Sequence, residues 1–147
     1  MKTLPRGIRN NNPLNLIRTS TKWLGLKELQ GDPRFCQFKT MEWGIRAAII
    51  NIRSICKRNH ACTIAQLINI WAPSFENNTQ AYIKRVCDYC PTLKPDTIID
   101  PYNFSQIHTL ICAMSVVENG NDYLTEDVVL RAFRLARGNS SPKEDNA

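Results

Sequence analysis

Beyond residue 40 the chain alternates apolar residues at helical spacing with polar residues placed where helices begin. Thr40 precedes a segment with Glu42 in its first turn, where a negative charge suits the helix dipole. Trp43, Ala47, Ile50 and Ser54 then recur along one face, which predicts a helix to about Lys57. Thr63 opens a short helix through Leu67 and Ile70 that stops before Pro73. Asn78 or Thr79 opens a third, carrying Tyr82, Val86 and Tyr89 and ending near Pro91. Residues 91–101 hold three prolines and predict a loop. Asn103 or Ser105 starts a fourth helix, from Ile107 to about Val117. It is apolar nearly all round, as a buried central helix would be. Glu118-Asn119-Gly120 ends it, with Gly120 able to supply a left-handed terminus. Thr125, followed by Glu126 and Asp127, caps a fifth helix that stops at Gly138. Residues 139–147 read as a disordered, solvated tail, so the single domain is expected to span residues 1–138.

The first third has a different texture. Asn10, Asn11 and Asn12 before Pro13 favour turns over a helix. Residues 35–38 alternate aromatic and polar, which predicts a short strand paired with residues 14–18. The expected fold is therefore mainly α: a helical bundle around a buried central helix, with a small irregular or β lobe at the N-terminus.

A length of 147 residues with 43% hydrophobic content suits one domain with a real core and argues against a mainly disordered chain. No apolar run approaches the ~20 residues of a membrane helix. The longest candidate, residues 47–55, is interrupted by Asn51 and Arg53. The basic start leads into asparagines rather than an apolar core, so no secretory leader is expected. Synthesis in a bacterial cytoplasm is the expectation, with delivery by other means if the protein works at the cell wall. A net charge of +6 suits an anionic partner such as nucleic acid, a membrane surface or the cell wall. Nucleic acid is the least favoured, because the basic residues (among them Arg6, Arg46, Lys84 and Arg131) are spread along the chain. Six cysteines fit neither a disulfide framework nor a common zinc spacing, and are expected as free, mostly buried thiols. No cofactor or metal is implied, and no phosphate-binding glycine loop is present.

Glu118 is the first candidate for chemistry. An acid at the C-terminal end of an apolar helix faces the negative end of the dipole and a desolvating core. Both raise its pKa, as a general acid for glycosidic cleavage requires. The plainer alternative is a glutamate that points to water as its helix ends. Glu76 sits in a polar loop near Trp71, where a ring can stack on a sugar and amides such as Asn77 can hold it. It also fits an ordinary helix start, and Glu42 is likewise an ordinary first-turn acid. Asn11, Asn12 and Asn15 can offer amides to N-acetyl groups or merely build turns.

Several ordered motifs together carry a resemblance. Arg6-Gly7-Ile8-Arg9-Asn10-Asn11-Asn12-Pro13-Leu14-Asn15-Leu16 resembles the opening signature of phage- and prophage-encoded virion-associated proteins with a lysozyme-like character. Trp23-Leu24-Gly25, Phe35-Cys36-Gln37-Phe38, Glu42-Trp43-Gly44-Ile45-Arg46-Ala47, Trp71-Ala72-Pro73, the Glu76 to Ile83 stretch and Glu118-Asn119-Gly120 follow in the same order. The match covers residues 6–123. Leu14 stands where that family has glycine, so a differently shaped first loop is expected. The resemblance implies a mainly α, lysozyme-like domain acting on peptidoglycan. Its elements would run in circularly permuted order, bringing Glu118 against residues 10–15 and 35–38. The implied activity is muramidase or lytic transglycosylase cleavage of the β-1,4 bond between N-acetylmuramic acid and N-acetylglucosamine. Glu118 is first choice as acid, Glu76 second and Glu42 third, and Asn11, Asn12, Asn15, Trp71, Asn77 and Tyr82 would hold the glycan. Glycan strands, phage-particle components or a secretion machine are the implied partners. The rival reading is a non-catalytic virion structural or cell-wall-binding protein.

Overall fold

The computed structural model describes residues 3–60, 62–73 and 78–146. It is mainly helical. Seven helices form among these residues: α1 (Arg6–Arg9), α2 (Met41–Asn59), α3 (Ile64–Trp71), α4 (Thr79–Tyr89), α5 (Phe104–Asn119), α6 (Glu126–Ala136) and α7 (Lys143–Asn146). The five expected helices start at the expected caps. Thr40, Thr63, Asn78, Asn103 and Thr125 each accept a backbone N–H of the first turn through their side chains. Thr63 and Gln66 complete a reciprocal capping box. Gly120 ends α5 in the left-handed conformation.

Among the described residues the pairing of the first third is limited to isolated antiparallel bridges rather than a strand. Ile17 bridges Phe35 and Leu26 bridges Phe38. The register agrees with the expected partnership of residues 14–18 with 35–38: Cys36 N donates to Leu16 O at 2.9 Å and Arg18 N to Arg34 O at 2.8 Å. Side chains complete what the backbone ladder lacks. Asn12, fully buried, donates to the carbonyls of Leu16 and Cys36 and accepts from Leu16 N.

Burial is shared between two helices. The apolar face of α5 is buried from Ile107 to Ser115 as its pattern predicts. Helix α2 is buried just as continuously, including Arg46 and Arg53, and packs against α6, α3 and α5. These two arginines break the apolar run in the sequence and hide the centrality of the helix. Arg53 donates to the carbonyls of Pro101, Arg137 and Asn139 and lies 4.3 Å from the Tyr102 ring centre.

Arg46 explains why residues 139–146 do not behave as the solvated tail that their polarity suggests. Asp145 of α7 grips its guanidinium with two bonds, at 2.7 and 3.0 Å, and the two side chains are 2% and 0% exposed. The same carboxylate accepts from Leu24 N, and Asn146 accepts from Lys22 N. The C-terminal residues thus close over the core to neutralise a buried cation.

Asp145→Ala leaves Arg46 buried and unpaired, and is expected to cost about 3–5 kcal/mol in chemical denaturation. Arg46→Met combined with Asp145→Ala should cost much less than Asp145→Ala alone. A loss under ~0.5 kcal/mol for Asp145→Ala, the surface range, would mean that the pair does not hold the C-terminus.

Candidate active site

Glu118 occupies the last turn of α5 and turns toward the first loop. Its Oε1 accepts from Asn15 Nδ2 at 2.8 Å, and its Oε2 accepts from Tyr82 OH at 2.9 Å. Burial pushes the Glu118 carboxyl above the ordinary glutamate range, while the two donors pull the other way. The Tyr82 hydroxyl is itself held well above its ordinary pKa by burial and then by the neighbouring carboxylate. It therefore stays protonated and able to donate. Two elements remote in sequence thus fix the carboxyl: the asparagine loop through Asn15 and helix α4 through Tyr82.

The loop reaches Glu118 because its backbone takes unusual shapes at asparagines. Asn11 and Asn15 both have φ of 53°, a conformation asparagine tolerates better than most residues. Leu14 is not among the residues with positive φ, and its side chain is buried in the core. Asn119 Nδ2 donates to Pro13 O at 2.8 Å and to Ser115 O at 2.9 Å, tying the loop to the same helix end. Two glycines permit the close approach. A Cβ on Gly44 would lie 1.7 Å from the Asn11 carbonyl oxygen. A Cβ on Gly7 would lie 2.6 Å from Asn119 Oδ1 and 2.9 Å from both Asn15 Oδ1 and the Asn12 carbonyl. Those two side-chain oxygens are buried without a hydrogen-bond partner among the described residues.

The far side of the loop is set by Asp32, buried before Pro33. It accepts from Arg6 at 2.6 and 2.7 Å, from Asn10 Nδ2 at 2.9 Å and from the backbone N–H groups of Arg34 and Phe35. The Arg6 guanidinium and these donors hold its carboxyl far below the usual range. No spacing rule links residues 6, 10 and 32, so this anchor leaves no signal in the sequence.

Glu118 opens onto a pocket of about 80 Å³ lined by Leu14, Asn15, Ile17, Arg34, Phe35, Trp71 and Ala72. Asn15, Ile17 and Trp71 also line an adjoining depression of about 340 Å³, which extends past Thr19, Trp23 and Asn51 to Arg58 and Pro142. Together they form a cleft with the carboxyl at one end. The Trp71 indole is fixed across it by donating to Leu14 O at 3.2 Å.

The candidate residues separate accordingly. Glu118, Asn15 and Trp71 meet at the cleft. Tyr82 supports Glu118 from behind and does not line the pocket. The amide of Asn12 is enclosed in the loop, and Asn11 donates to Phe38 O at 3.1 Å, so both brace the loop. Glu42 pairs with Arg131 of α6 at 3.1 Å and lines a different pocket, with Thr40, Trp43 and Arg134. Glu76 and Asn77 lie outside the described residues. All six cysteines are free thiols, with Cys36, Cys62 and Cys112 buried.

No protein-family model matches the chain. It is 35% identical over 131 residues to Protein P5 of Pseudoalteromonas phage PM2, a match covering 87% of this chain and 79% of that protein. The chain belongs to the P5 family. The relationship places it in a phage-associated protein family, which the ordered motifs anticipate. Among the described residues of this P5-family chain, no helix is long and apolar enough to cross a membrane.

A carboxyl whose folded pKa is raised weakens the fold above its unfolded pKa, because the buried carboxylate is the costly form. That cost disappears as pH falls through the raised value. Glu118→Gln keeps the shape, with its amide oxygen facing Asn15 and its NH2 facing the Tyr82 oxygen. It is expected to raise Tm near pH 7 and to leave Tm unchanged near pH 3. A lower Tm at pH 7 would mean that the carboxylate stabilises the fold. Gly7→Ala should destabilise at both pH values, by roughly 1–3 kcal/mol for overpacking.

Proposed function

We propose that this P5-family chain is a peptidoglycan glycosidase with a lysozyme-like site, in which Glu118 is the general acid. The observation that carries this reading is the Glu118 carboxyl itself. Burial raises its pKa, Asn15 and Tyr82 orient it, and it opens onto a cleft with an indole beside it. Glu118 protonates the glycosidic oxygen as the bond to the muramyl C1 breaks. Tyr82 can accept a hydrogen bond from the protonated Oε2 and donate one to the carboxylate afterwards, so the group stays bonded in both states. Asn15 holds Oε1 throughout.

Two routes complete the reaction. In a transglycosylase the C6 hydroxyl of the muramyl unit attacks C1, and the Glu118 carboxylate takes the hydroxyl proton, giving a 1,6-anhydro end. In an inverting hydrolase a second carboxylate some 6.5–9.5 Å away activates water. Among the described residues lining the cleft Glu118 is the one carboxylate, which supports the route that needs no other. Glu42, paired with Arg131 in another pocket, is poorly placed for the second role. The phage relative fits a component of a phage particle that meets the cell wall, and that is the delivery we favour. A non-catalytic wall-binding protein is the competing outcome of the test.

Digestion of purified peptidoglycan followed by mass spectrometry is expected to release anhydro-muropeptides with the wild-type chain. Glu118→Gln should release at least ~10²-fold less, the typical scale of general acid catalysis. Reducing-end products would make the enzyme a hydrolase. No product from folded wild-type protein would replace catalysis with wall binding.

A further inference from the structure

We infer that the larger end of the cleft is a subsite for a carboxylate of the glycan's peptide stem, gripped by Arg58, so that the protein selects strands whose stem carboxylates are free over strands whose stems are amidated. This rests on the proposed glycosidase site and specifies its substrate. The depression shares Asn15, Ile17 and Trp71 with the Glu118 pocket, so a strand positioned at Glu118 continues into it. At about 340 Å³ it matches the volume of a small-ligand site. Its walls are mostly neutral, and among the described residues that line it Arg58 is the one that is charged.

Arg58 lies in the last turn of α2, where its Nη1 donates to Ser54 Oγ at 2.6 Å. Ser54 is buried one turn earlier and is neutral. The contact orients the guanidinium without neutralising it. The other cations of this fold that are tightly held have different roles. Arg6, Arg46 and Arg131 are paired with Asp32, Asp145 and Glu42, and Arg53 is enclosed by carbonyls and rings. No carboxylate among the described residues lies within ion-pair distance of Arg58. An oriented, unpaired guanidinium in a cleft suits a carboxylate, which it can bind with two parallel hydrogen bonds. The N-acetylated sugar backbone of peptidoglycan offers no such charge when its lactyl groups are amide-linked. The peptide stems, hung from alternate sugars, carry free carboxylates.

The C-terminal segment contributes to the same subsite. Pro142 lines it, and the Arg46–Asp145 pair holds the chain there.

The test is direct binding, with the Glu118→Gln chain used to prevent turnover. The ligands are soluble glycan strands with intact stems and the same strands with their stem carboxyls converted to amides. Strands with free stem carboxylates are expected to bind about tenfold more tightly, the effect of one well-formed charged contact. Arg58→Gln should bring their affinity down to that of the amidated strands, and Arg58→Lys should restore part of the difference. Equal binding of the two ligands, or an equal loss on both with Arg58→Gln, would overturn the subsite. The glycosidase reading fails separately, if the wild-type chain releases no product from either strand. A preference for free stem carboxylates without cleavage would leave the subsite standing on a wall-binding protein.

Discussion

The last two residues of α5 hold the molecule's two unlike parts together. Asn119 binds the Pro13 carbonyl and Glu118 binds the Asn15 amide, so one helix end ties the irregular loop to the helical bundle. The loop can come this close only because Gly7 and Gly44 have no Cβ where Asn119, Asn15 and Asn11 sit. Shape and chemistry are coupled here. The contact that seats the loop also desolvates a carboxyl, and the amide that compensates the desolvation also orients it. Polar groups brought out of water must find partners, and Asn12, Asn119 and Tyr82 supply them with little slack.

A second layer of constraint comes from the buried cations of α2. Arg46 and Arg53 sit inside the bundle and recruit the chain's end. Asp145 closes on Arg46, and the carbonyls of Arg137 and Asn139 close on Arg53. The segment they recruit walls the larger end of the cleft through Pro142 and supports the backbone beside Trp23. A buried ion pair is a poor source of net stability compared with apolar packing, but it defines which segment belongs there. Polar burial at both ends of the chain thus converges on one cleft.

The helices were legible because their starts carry side chains that satisfy the first-turn N–H groups, a local rule that tertiary contacts rarely overturn. Glu118 was legible for a similar reason, since its place at the end of an apolar helix predicts its desolvation. The partners that give the site its shape were less visible. Asp32 gathers Arg6 and Asn10 across more than twenty residues, and Tyr82, which the sequence suggests as a glycan-holding residue, instead donates to Glu118. The docking of residues 139–146 is hidden because its cause, the buried Arg46, lies 99 positions from Asp145. Periodicity records which faces are buried, whereas pairing between distant polar residues has no period to read.

The account turns on the protonation of one group, and a carbon-13 titration of the Glu118 side-chain carboxyl in the full chain measures it directly. The predicted result is a midpoint above the ordinary glutamate value of about 4.3, coinciding with the pH at which bond cleavage begins to fail on the alkaline side. A midpoint at or below that ordinary value would show a carboxylate already charged at neutral pH, and would contradict its role as the acid.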